Sequence, residues 1–247
     1  MRCYFINIIM QWHIGCSGFH YNDWRGRFYP EKLAKSKWFE FYAQHFSTLE
    51  LNVTFYRFPQ LSVLQGWHRR SPDNFRFSVK AWRGITHYKK FNDTTDFITR
   101  FYDTINDGLQ EKLGPVLFQL PPSYDYTEER LERIINSLNS SFINVFEPRH
   151  ITWWREDVYQ ELGKHNIVFC GMSHPTLPDD VIENAPNIYY RFHGVPLLYR
   201  SSYSTAFLQK VVESVKADTS AQAGWFYFNN DYDTVAIENA KRMIGLT

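Results

Sequence analysis

The sequence predicts a single (β/α)8 barrel of the TIM type, with parallel strands inside and an outer ring of helices. The first reason is repetition, since eight short apolar runs alternate with segments of helical spacing. The second is length, because 247 residues suit one such barrel, which typically has about 250. The third is the lack, after the first run, of the G-x-G-x-x-G fingerprint that would favour the main alternative, an open doubly wound sheet.

The eight predicted strands are short apolar runs rich in β-branched and aromatic residues. In chain order they are Gln11–Cys16, Thr48–Val53, Phe75–Val79, Pro115–Leu120, Phe142–Phe146, Ile167–Gly171, Asn187–Phe192 and Gly224–Phe228. Pro121 stops the fourth strand, because proline has no N–H to give to a sheet ladder.

Helices are predicted between the strands from capping residues and from apolar residues at helical spacing. Their starting signals or spans are Pro30, Pro59, Asp93 with Thr94, Thr127, Trp153–His165, Ser204 and Val235. Glu128 and Glu129 support the start at Thr127, because acids are favourable at the positive end of a helix dipole. The pattern is weakest between the sixth and seventh strands, where Pro178 and Pro186 occur.

The chain is predicted to form one barrel domain over residues 10–247, since no linker or composition shift divides it. Met10 directly precedes the first strand, so residues 1–9 are interpreted as an N-terminal extension outside the fold. That stretch is apolar but too short to span a membrane, and it lacks a signal-peptide cleavage site.

Composition argues against several functional classes. The 27 basic and 26 acidic side chains give a net charge of only +1, which is unlike a general nucleic-acid binder. The three cysteines, Cys3, Cys16 and Cys170, are odd in number and irregular in spacing, which argues for a reducing compartment and against a disulfide framework. We therefore expect a cytoplasmic protein that does not interact with membranes.

Polar and charged residues follow nearly every predicted strand. In chain order they are Ser17, Glu50, Asn52, Lys80, Gln119, Glu147, Arg149, His150, His174, Arg191, His193, Asn229, Asn230 and Asp231. The carboxyl ends of all strands in a (β/α)8 barrel converge on one mouth, whatever their separation in sequence. We therefore expect one site there, with the run Phe142–Trp154 at its centre.

The charges at this mouth predict a small anionic ligand. The fixed cations and the acids can cancel as three pairs formed among Lys80, Arg149, Arg191, Glu50, Glu147 and Asp231. The balance is then tipped positive by His87, His150, His193 and Arg57. Because guanidinium groups bind carboxylates and phosphates through two parallel hydrogen bonds, an anion fits this excess. Nearby aromatic side chains can supply flat walls for a ring-bearing ligand.

The residue types suggest roles for the members of the site. Glu147 or Glu50 is predicted to act as general base or acid, with His193 relaying a proton. The predicted ligand-binding residues are Lys80, Arg149, Arg191, Asn52, Tyr56, His87, His150, Gln119, Asn229, Asp231, Trp24 and Tyr21. Hydrolase, isomerase and lyase reactions all fit, and hydrolysis is preferred. A glycosidase version requires two free carboxyl groups, about 5–5.5 Å or roughly 6.5–9.5 Å apart.

Structural and non-catalytic interpretations remain open. Glu147 with Arg149, or Glu50 with Lys80, can be a buried ion pair that serves stability alone. No metal and no cofactor are predicted, because the interleaved cations would repel a metal ion. The rival function is a binding protein for a nucleotide, single-stranded nucleic acid or phosphorylated partner. The basic and aromatic runs Tyr21–Tyr29 and Trp82–Tyr88 favour it. The expected state is a monomer or weak homodimer.

Seven runs resemble the YecE-like family, domain of unknown function 72. They are GCSGFHYNDWRGRFYP (15–30), ELNVTFYRFP (50–59), FRFSVKAWRGITH (75–87), LGPVLFQLPPSY (113–124), VFEPRHITWW (145–154), YYRFHG (189–194) and FNNDYDTVAIENA (228–240). The resemblance covers nearly the whole chain and implies a TIM-type barrel starting near Met10, without implying a reaction. The chain departs from the family pattern after the sixth strand, at Met172–Pro175, and after His193.

Overall fold

The computed structural model describes residues 10–247, and a closed barrel of eight parallel strands forms its centre. The strands are β1 (Gln11–Cys16), β2 (Thr48–Leu51), β3 (Arg76–Lys80), β4 (Leu113–Gln119), β5 (Asn144–Glu147), β6 (Ile167–Ser173), β7 (Asn187–Phe192) and β8 (Ala223–Phe228). Each strand pairs with the next along the chain, and β8 returns to β1. The predicted fold class is confirmed. The interpretation of residues 1–9 as an extension lies outside the described residues.

Helices surround this barrel on its outer face. They are α1 (Trp38–Ala43), α2 (Val53–Tyr56), α3 (Leu61–Arg70), α4 (Thr95–Leu109), α5 (Glu128–Ser137), α6 (Glu156–Lys164), α7 (Thr205–Ala217) and α8 (Val235–Ile244). Two predicted caps are confirmed, since the Thr127 hydroxyl accepts from Arg130 N and the Ser204 hydroxyl from Phe207 N, both at 3.2 Å. Thr94 precedes α4 without a side-chain capping bond.

Two helix predictions were wrong in extent, and one helix expected between successive strands is absent. The first helix does not begin at Pro30, because α1 starts only at Trp38 after extended backbone at Ala34 and a 3-10 turn. The segment predicted as Trp153–His165 starts at Glu156, since Arg155 is extended. Residues 174–186, all described, contain no helix between β6 and β7. Their prolines lack the N–H that a helix interior needs, which accounts for the weak pattern there.

The buried apolar side chains fall into two layers. One fills the barrel interior with Leu117, Val145, Val168, Cys170, Tyr189, Ala223, Trp225 and Tyr227. The other lies between the strands and the helices and includes most of the buried phenylalanines. Inward and outward residues alternate along each strand, as the two-residue period of a strand requires. The interior layer therefore packs beneath the side chains of the barrel mouth.

The seam between β1 and β2 is closed partly by a side chain. The described register of this pair has one partner, Cys16 with Leu49, whereas β1 and β8 match over six. The Tyr42 hydroxyl from α1 accepts from Cys16 N at 2.8 Å and donates to Thr48 O at 3.0 Å. A Cβ at Gly15 would stand 2.4 Å from Thr48 O, so only glycine allows this approach. The glycine at position 15 is therefore explained by the close packing of β1 against β2.

Candidate functional site

Arg191 connects two buried acids across the barrel mouth. From β7, its Nη2 donates to Glu50 Oε1 at 2.7 Å and its Nη1 to Glu147 Oε2 at 2.8 Å. Arg191 is 1% exposed, and both glutamates have no exposed surface. Charges so buried are tolerated only when they are paired and hydrogen-bonded. We call Glu50, Glu147, Arg149 and Arg191 the mouth network.

Both carboxylate oxygens of Glu50 already have partners. Oε1 accepts from the Ser17 hydroxyl at 2.6 Å as well as from Arg191, and Oε2 accepts from the Tyr189 hydroxyl at 2.6 Å. Tyr189 lies two residues before Arg191 on β7, so the strand period places both side chains inward. Glu50 is consequently an anchor for Arg191, and no ion pair joins it to Lys80 in the described part of the chain.

Glu147 is held ionised by two guanidinium groups. Oε1 accepts from Arg149 Nε and Oε2 from Arg191 Nη1, so the predicted Glu147–Arg149 pair is present. Burial opposes ionisation of Glu147, but Arg149 and Arg191 outweigh it and lower the pKa of this carboxyl. A carboxylate so fixed is a weak proton acceptor, and a mechanism with two free carboxyl groups does not fit this arrangement.

His193 is a neutral imidazole that is fixed at both ring nitrogens. Burial, followed by the fields of Arg149 and Arg191, lowers its pKa well below the usual value. Arg149 Nη2 lies 3.0 Å from Nε2 and can only donate, so Nε2 accepts and Nδ1 carries the proton. The amide nitrogen Nδ2 of Asn229 lies 3.0 Å from Nδ1, so the amide group has to rotate by 180° for its oxygen to accept from that N–H. His193 therefore orients Arg149.

Lys80 differs from the other cations of the mouth because no carboxylate is within ion-pair distance of its ammonium among residues 10–247. Its Nζ lies 4.2 Å from the centre of the Phe55 ring, a cation–π contact. Burial, then the field of Arg191, lowers the pKa of Lys80 to about 7, against the opposing effect of Glu147 and Glu50. Near neutral pH, this amine exists in both charged and uncharged forms.

His87 lies beside Lys80 at the edge of the mouth. Its ring meets the same Phe55 ring edge to face, with centroids 4.9 Å apart, and its Nδ1 is 2.9 Å from the Thr86 hydroxyl. Burial, then the charge of Lys80, lowers the pKa of His87 to about 4. His87 and His193 are therefore both uncharged near neutral pH, and the prediction that these two would add positive charge to the mouth was wrong.

The part of the mouth around Ser17 contains polar atoms without partners. Among the described residues, Asn52 Oδ1, Asp231 Oδ1 and Arg191 Nε are buried and make no hydrogen bond. Asn52 Nδ2 and the Tyr21 hydroxyl both donate to Ser17 O, at 3.1 and 2.7 Å, which holds this part together. Burial raises the pKa of Asp231 to about 7. This carboxyl also titrates near neutrality.

Other predicted site residues lie outside the mouth network. Trp24 has no exposed surface and donates to Asp231 O at 2.8 Å, so it packs below the site and cannot form a ligand wall. Tyr56 is 61% exposed on the outer rim. His150 caps the turn Ile151–Trp153, with its Nδ1 2.8 Å from the Thr152 hydroxyl. Gln119 is closer to the centre, because its strand register places it beside Glu147.

The sequence reasoning missed the tyrosines beneath the network. Tyr189 contacts Ser78 as well as Glu50, and the Tyr227 hydroxyl lies 2.7 Å from the Thr48 hydroxyl. A signal was present, since the alternation that directs Arg191 inward also directs Tyr189 inward. Phe55 was likewise not among the predicted ligand-binding residues, although its ring contacts the Lys80 amine.

Two features are absent from residues 10–247. No group of three or more histidine, cysteine, aspartate or glutamate side chains is arranged to hold a metal ion there. No helix in the same range is both long and apolar enough to cross a membrane.

Comparison with known proteins gives one family. A family model described as "Protein of unknown function DUF72" matches residues 13–247. The UPF0759 protein YunF of Bacillus subtilis is 31% identical over 156 residues, 60% of this chain and 54% of that protein. The UPF0759 protein YecE of Escherichia coli is 31% identical over 112 residues, 45% of this chain and 41% of that protein. The chain thus spans about half the length of these curated relatives.

Solved structures match over a larger share of the chain. The crystal structure of a DUF72 family protein from Thermotoga maritima has a TM-score of 0.85 and 28% identity, covering 96% of this chain and 98% of that one. A DUF72 family protein from Enterococcus faecalis has a TM-score of 0.81 and 20% identity, covering 96% and 95%. The second match supports the fold alone.

Proposed function

This chain belongs to the DUF72 family of proteins of unknown function, and we propose that it is an enzyme acting on a small anionic substrate at the carboxyl-terminal mouth of its barrel. The reaction is acid–base chemistry that needs no bound metal. A cytoplasmic location is part of the proposal, because the buried Cys16 and Cys170 are both free thiols.

The observation that carries this proposal is the unpaired ammonium of Lys80. Arg149 and Arg191 are matched by Glu147 and Glu50, which leaves Lys80 as the cation of this cluster without an acid. An anion bound next to it would supply the missing negative charge. Barrel enzymes place their reacting groups at this end of the strands, and perturbed titrating groups in such a place favour catalysis.

The proposed roles differ from those suggested by residue type. Glu50 and Glu147 are locked against guanidinium groups, so they serve as fixed counter-charges. Arg149 holds the anion, because Nε and Nη2 have protein partners while Nη1 makes no hydrogen bond to any described residue. Lys80 and Asp231, whose pKa values are both about 7, are the proton-transfer groups. A group whose pKa lies near the working pH transfers protons efficiently, which is the reason for choosing these two.

Thermal unfolding in the presence of anions tests the binding part. We expect inorganic phosphate or oxalate to raise the melting temperature relative to chloride at equal ionic strength, because a ligand that binds only the folded state stabilises it. Saturation at about 100 times the dissociation constant corresponds to roughly 2.7 kcal/mol. Arg149→Gln and Lys80→Met should each reduce the shift, measured against the melting temperature of the same variant without anion.

Arg155→Gln is the matched control for this experiment, because Arg155 is near Arg149 in sequence but pairs with Asp157 at the surface. Its anion-induced shift should equal that of the wild type. If neither phosphate nor oxalate shifts the wild-type transition, or if Arg149→Gln retains the full shift, the proposed anion site is wrong.

A second candidate function rests on a different feature, at the outer rim. The Arg83 guanidinium lies over the exposed rings of Tyr56 and Tyr88, 5.7 and 5.3 Å from their centroids. Tyr88 is 65% exposed. Exposed rings with an interleaved guanidinium are the kind of platform on which bases of single-stranded nucleic acid stack.

Titration of a fluorescent single-stranded oligonucleotide at two salt concentrations tests this candidate. Binding through phosphates must weaken steeply as salt rises, and Tyr56→Ala with Tyr88→Ala should weaken it further. Tyr232→Ala, which removes an exposed tyrosine elsewhere, is the control. Absence of binding at low salt contradicts this function.

A further inference from the structure

We propose that Lys80 forms a covalent imine with the carbonyl group of its substrate. This inference rests on the proposed function and adds a substrate class to it, namely small carbonyl compounds that carry a carboxylate or phosphate. It also gives the amine a role beyond proton transfer, since the substrate becomes bonded to the protein during the reaction.

The surroundings of Lys80 favour a nucleophilic amine over a structural one. Lys80 is the last residue of β3, so its position is fixed by the barrel while its Nζ points to the mouth beside Phe55. Another buried lysine, Lys112, shows the structural alternative, because its ammonium donates to His68 O, Ser71 O and the Ser71 hydroxyl at 2.8–3.1 Å. Lys80 Nζ makes no hydrogen bond to any described residue, so its nitrogen is available.

Neighbouring cations keep a share of this amine uncharged. A protonated amine has no lone pair, so imine formation requires the neutral form. Burial, Arg191 and Arg149 all favour loss of the proton from Lys80. The Phe55 ring contacts the amine, but it stabilises the ammonium charge less than a carboxylate at the same distance would.

The substrate class follows from Arg149. Its Nη1 group is free to donate and its side chain is 9% exposed, so it is reachable from the mouth. An anionic group bound there would direct the rest of a small molecule toward Lys80, whose proton affinity Arg149 already affects. A carbonyl next to an anionic group therefore meets both requirements, as in a 2-oxo acid.

The bond changes balance without an oxidant or reductant. The neutral amine attacks the carbonyl carbon, forming a C–N bond, while the carbonyl oxygen takes a proton and becomes the hydroxyl of a carbinolamine. The nitrogen lone pair then forms C=N as the C–O bond breaks and the protonated hydroxyl leaves as water. In sum, one carbonyl compound, one neutral amine and one proton give one iminium ion and one water. His87, neutral and against the same Phe55 ring, is the imidazole placed to carry protons.

Reductive trapping on the intact protein tests the inference. Glyoxylate is the probe, acetaldehyde is the matched neutral carbonyl, and cyanoborohydride reduces the imine to a stable secondary amine. Peptide mapping by mass spectrometry then locates the adduct, which adds the mass of the probe less one oxygen atom. At pH 7.5 we expect glyoxylate to label Lys80 at least about tenfold faster than exposed lysines, because an ordinary lysine has a pKa near 10.4. Lys80→Met should lose this label.

The controls distinguish the site from general lysine chemistry. Lys210 is exposed on α7, so its labelling in the same digest gives the ordinary rate, and Lys210→Met should leave the Lys80 adduct unchanged. Arg149→Gln should slow labelling by glyoxylate more than labelling by acetaldehyde, because both probes lose the effect of Arg149 on the proton of Lys80 but only glyoxylate loses the contact with its carboxylate. Since wild-type peptide maps already decide the question, instability of a variant does not obscure the result.

Several outcomes would overturn the inference. If glyoxylate labels Lys80 no faster than Lys210, Lys80 forms no preferred imine. If acetaldehyde labels Lys80 as fast as glyoxylate in the wild type, the anionic part of the substrate class is wrong. Where oxalate stabilises the protein through Arg149 but Lys80 stays unlabelled, the imine fails and the proposed anion site stands. Where neither occurs, both proposals fail.

Discussion

At the scale of single residues, environment rather than residue type sets the proton affinities of the mouth. Glu147 and Asp231 are both largely buried acids, yet two adjacent guanidinium groups lower the pKa of Glu147 while burial raises that of Asp231 to about 7. Lys80 and Arg191 show the same contrast among the cations, because only Arg191 contacts carboxylates. The sequence indicated which groups would meet but could not indicate which would be left unpaired.

Lys80→Met is predicted to stabilise the protein in acid. The folded-state pKa of Lys80, about 7, lies below the usual 10.5, so the unfolded chain binds more protons between these values and wild-type stability rises with pH there. Below pH 7 the buried charge has its full cost, which the variant removes. We expect the variant to be more stable by roughly 1–3 kcal/mol at pH 6, with the difference decreasing toward pH 10.

Urea unfolding at pH 6 and pH 9 measures this effect, with Lys210→Met as the exposed control. The control should change the free energy of unfolding by less than about 0.5 kcal/mol at both values. A Lys80→Met protein that is less stable than the wild type at pH 6 would show that the ammonium has a favourable partner.

Asp231→Asn is predicted to have the opposite pH dependence. Its folded-state pKa, about 7, lies above the usual 3.8, so the folded protein binds more protons between these values and wild-type stability falls as pH rises. The variant removes the cost of the buried charge above pH 7. We expect a gain of roughly 1–3 kcal/mol at pH 8 and almost none at pH 4. Urea unfolding at both pH values measures the gain, and Asp103→Asn, at an exposed position of α4, is the control. A gain at pH 4 equal to that at pH 8 contradicts the assignment.

At the scale of elements, strands were more predictable than helix starts. Both ends of β7, Asn187 and Phe192, were predicted correctly, because a short apolar run bounded by polar residues is typical of a buried strand. Pro30 was misleading, since proline at a first helical turn and proline in an irregular loop look alike in sequence. Helix α1 starts only at Trp38 because the preceding loop packs against it, with the Tyr29 ring stacked on the Trp38 ring at a centroid distance of 4.6 Å. This tertiary contact cannot be read from the local sequence pattern.

Tyr42→Phe is predicted to weaken the seam between β1 and β2. The hydroxyl joins Cys16 N to Thr48 O in the buried interior, so its removal leaves two backbone groups without partners. We expect a loss of about 1–3 kcal/mol. Chemical denaturation measures the loss, and amide hydrogen exchange should show faster exchange at Cys16 than in the wild type.

Tyr232→Phe provides the control for the seam, since Tyr232 is 49% exposed and its change should cost less than about 0.5 kcal/mol. Unchanged exchange at the Cys16 amide in Tyr42→Phe would mean that another group completes the seam.

At the scale of the whole molecule, the mouth network joins strands that are far apart in sequence. Glu50 on β2, Glu147 on β5 and Arg191 on β7 meet only because the sheet closes. Their convergence was predictable from the topology, which places all strand ends at one mouth. The choice of partners was not predictable, because it depends on side-chain reach and inward register. Glu50 pairs with Arg191 rather than with Lys80, the partner that the sequence left open.

Glu50→Gln is predicted to destabilise the barrel strongly. The variant leaves Arg191 buried with one anion instead of two, and truncating a buried ion pair costs about 3–5 kcal/mol. Glu40→Gln is the matched control, since Glu40 pairs with Arg70 at the surface and should cost less than about 1 kcal/mol. Urea unfolding at pH 7 compares the two. Equal losses would contradict the view that the network helps to hold the closed sheet.

The double engagement of Arg191 has a consequence for redesign of this barrel. Replacing one member of the Glu50–Arg191–Glu147 trio leaves an unpaired charge in the buried interior. The three residues therefore have to be replaced together, for instance by hydrophobic residues of similar volume. Lys80 is different, because it forms no ion pair with an acid among residues 10–247, and new chemistry can be introduced at that position by a single substitution.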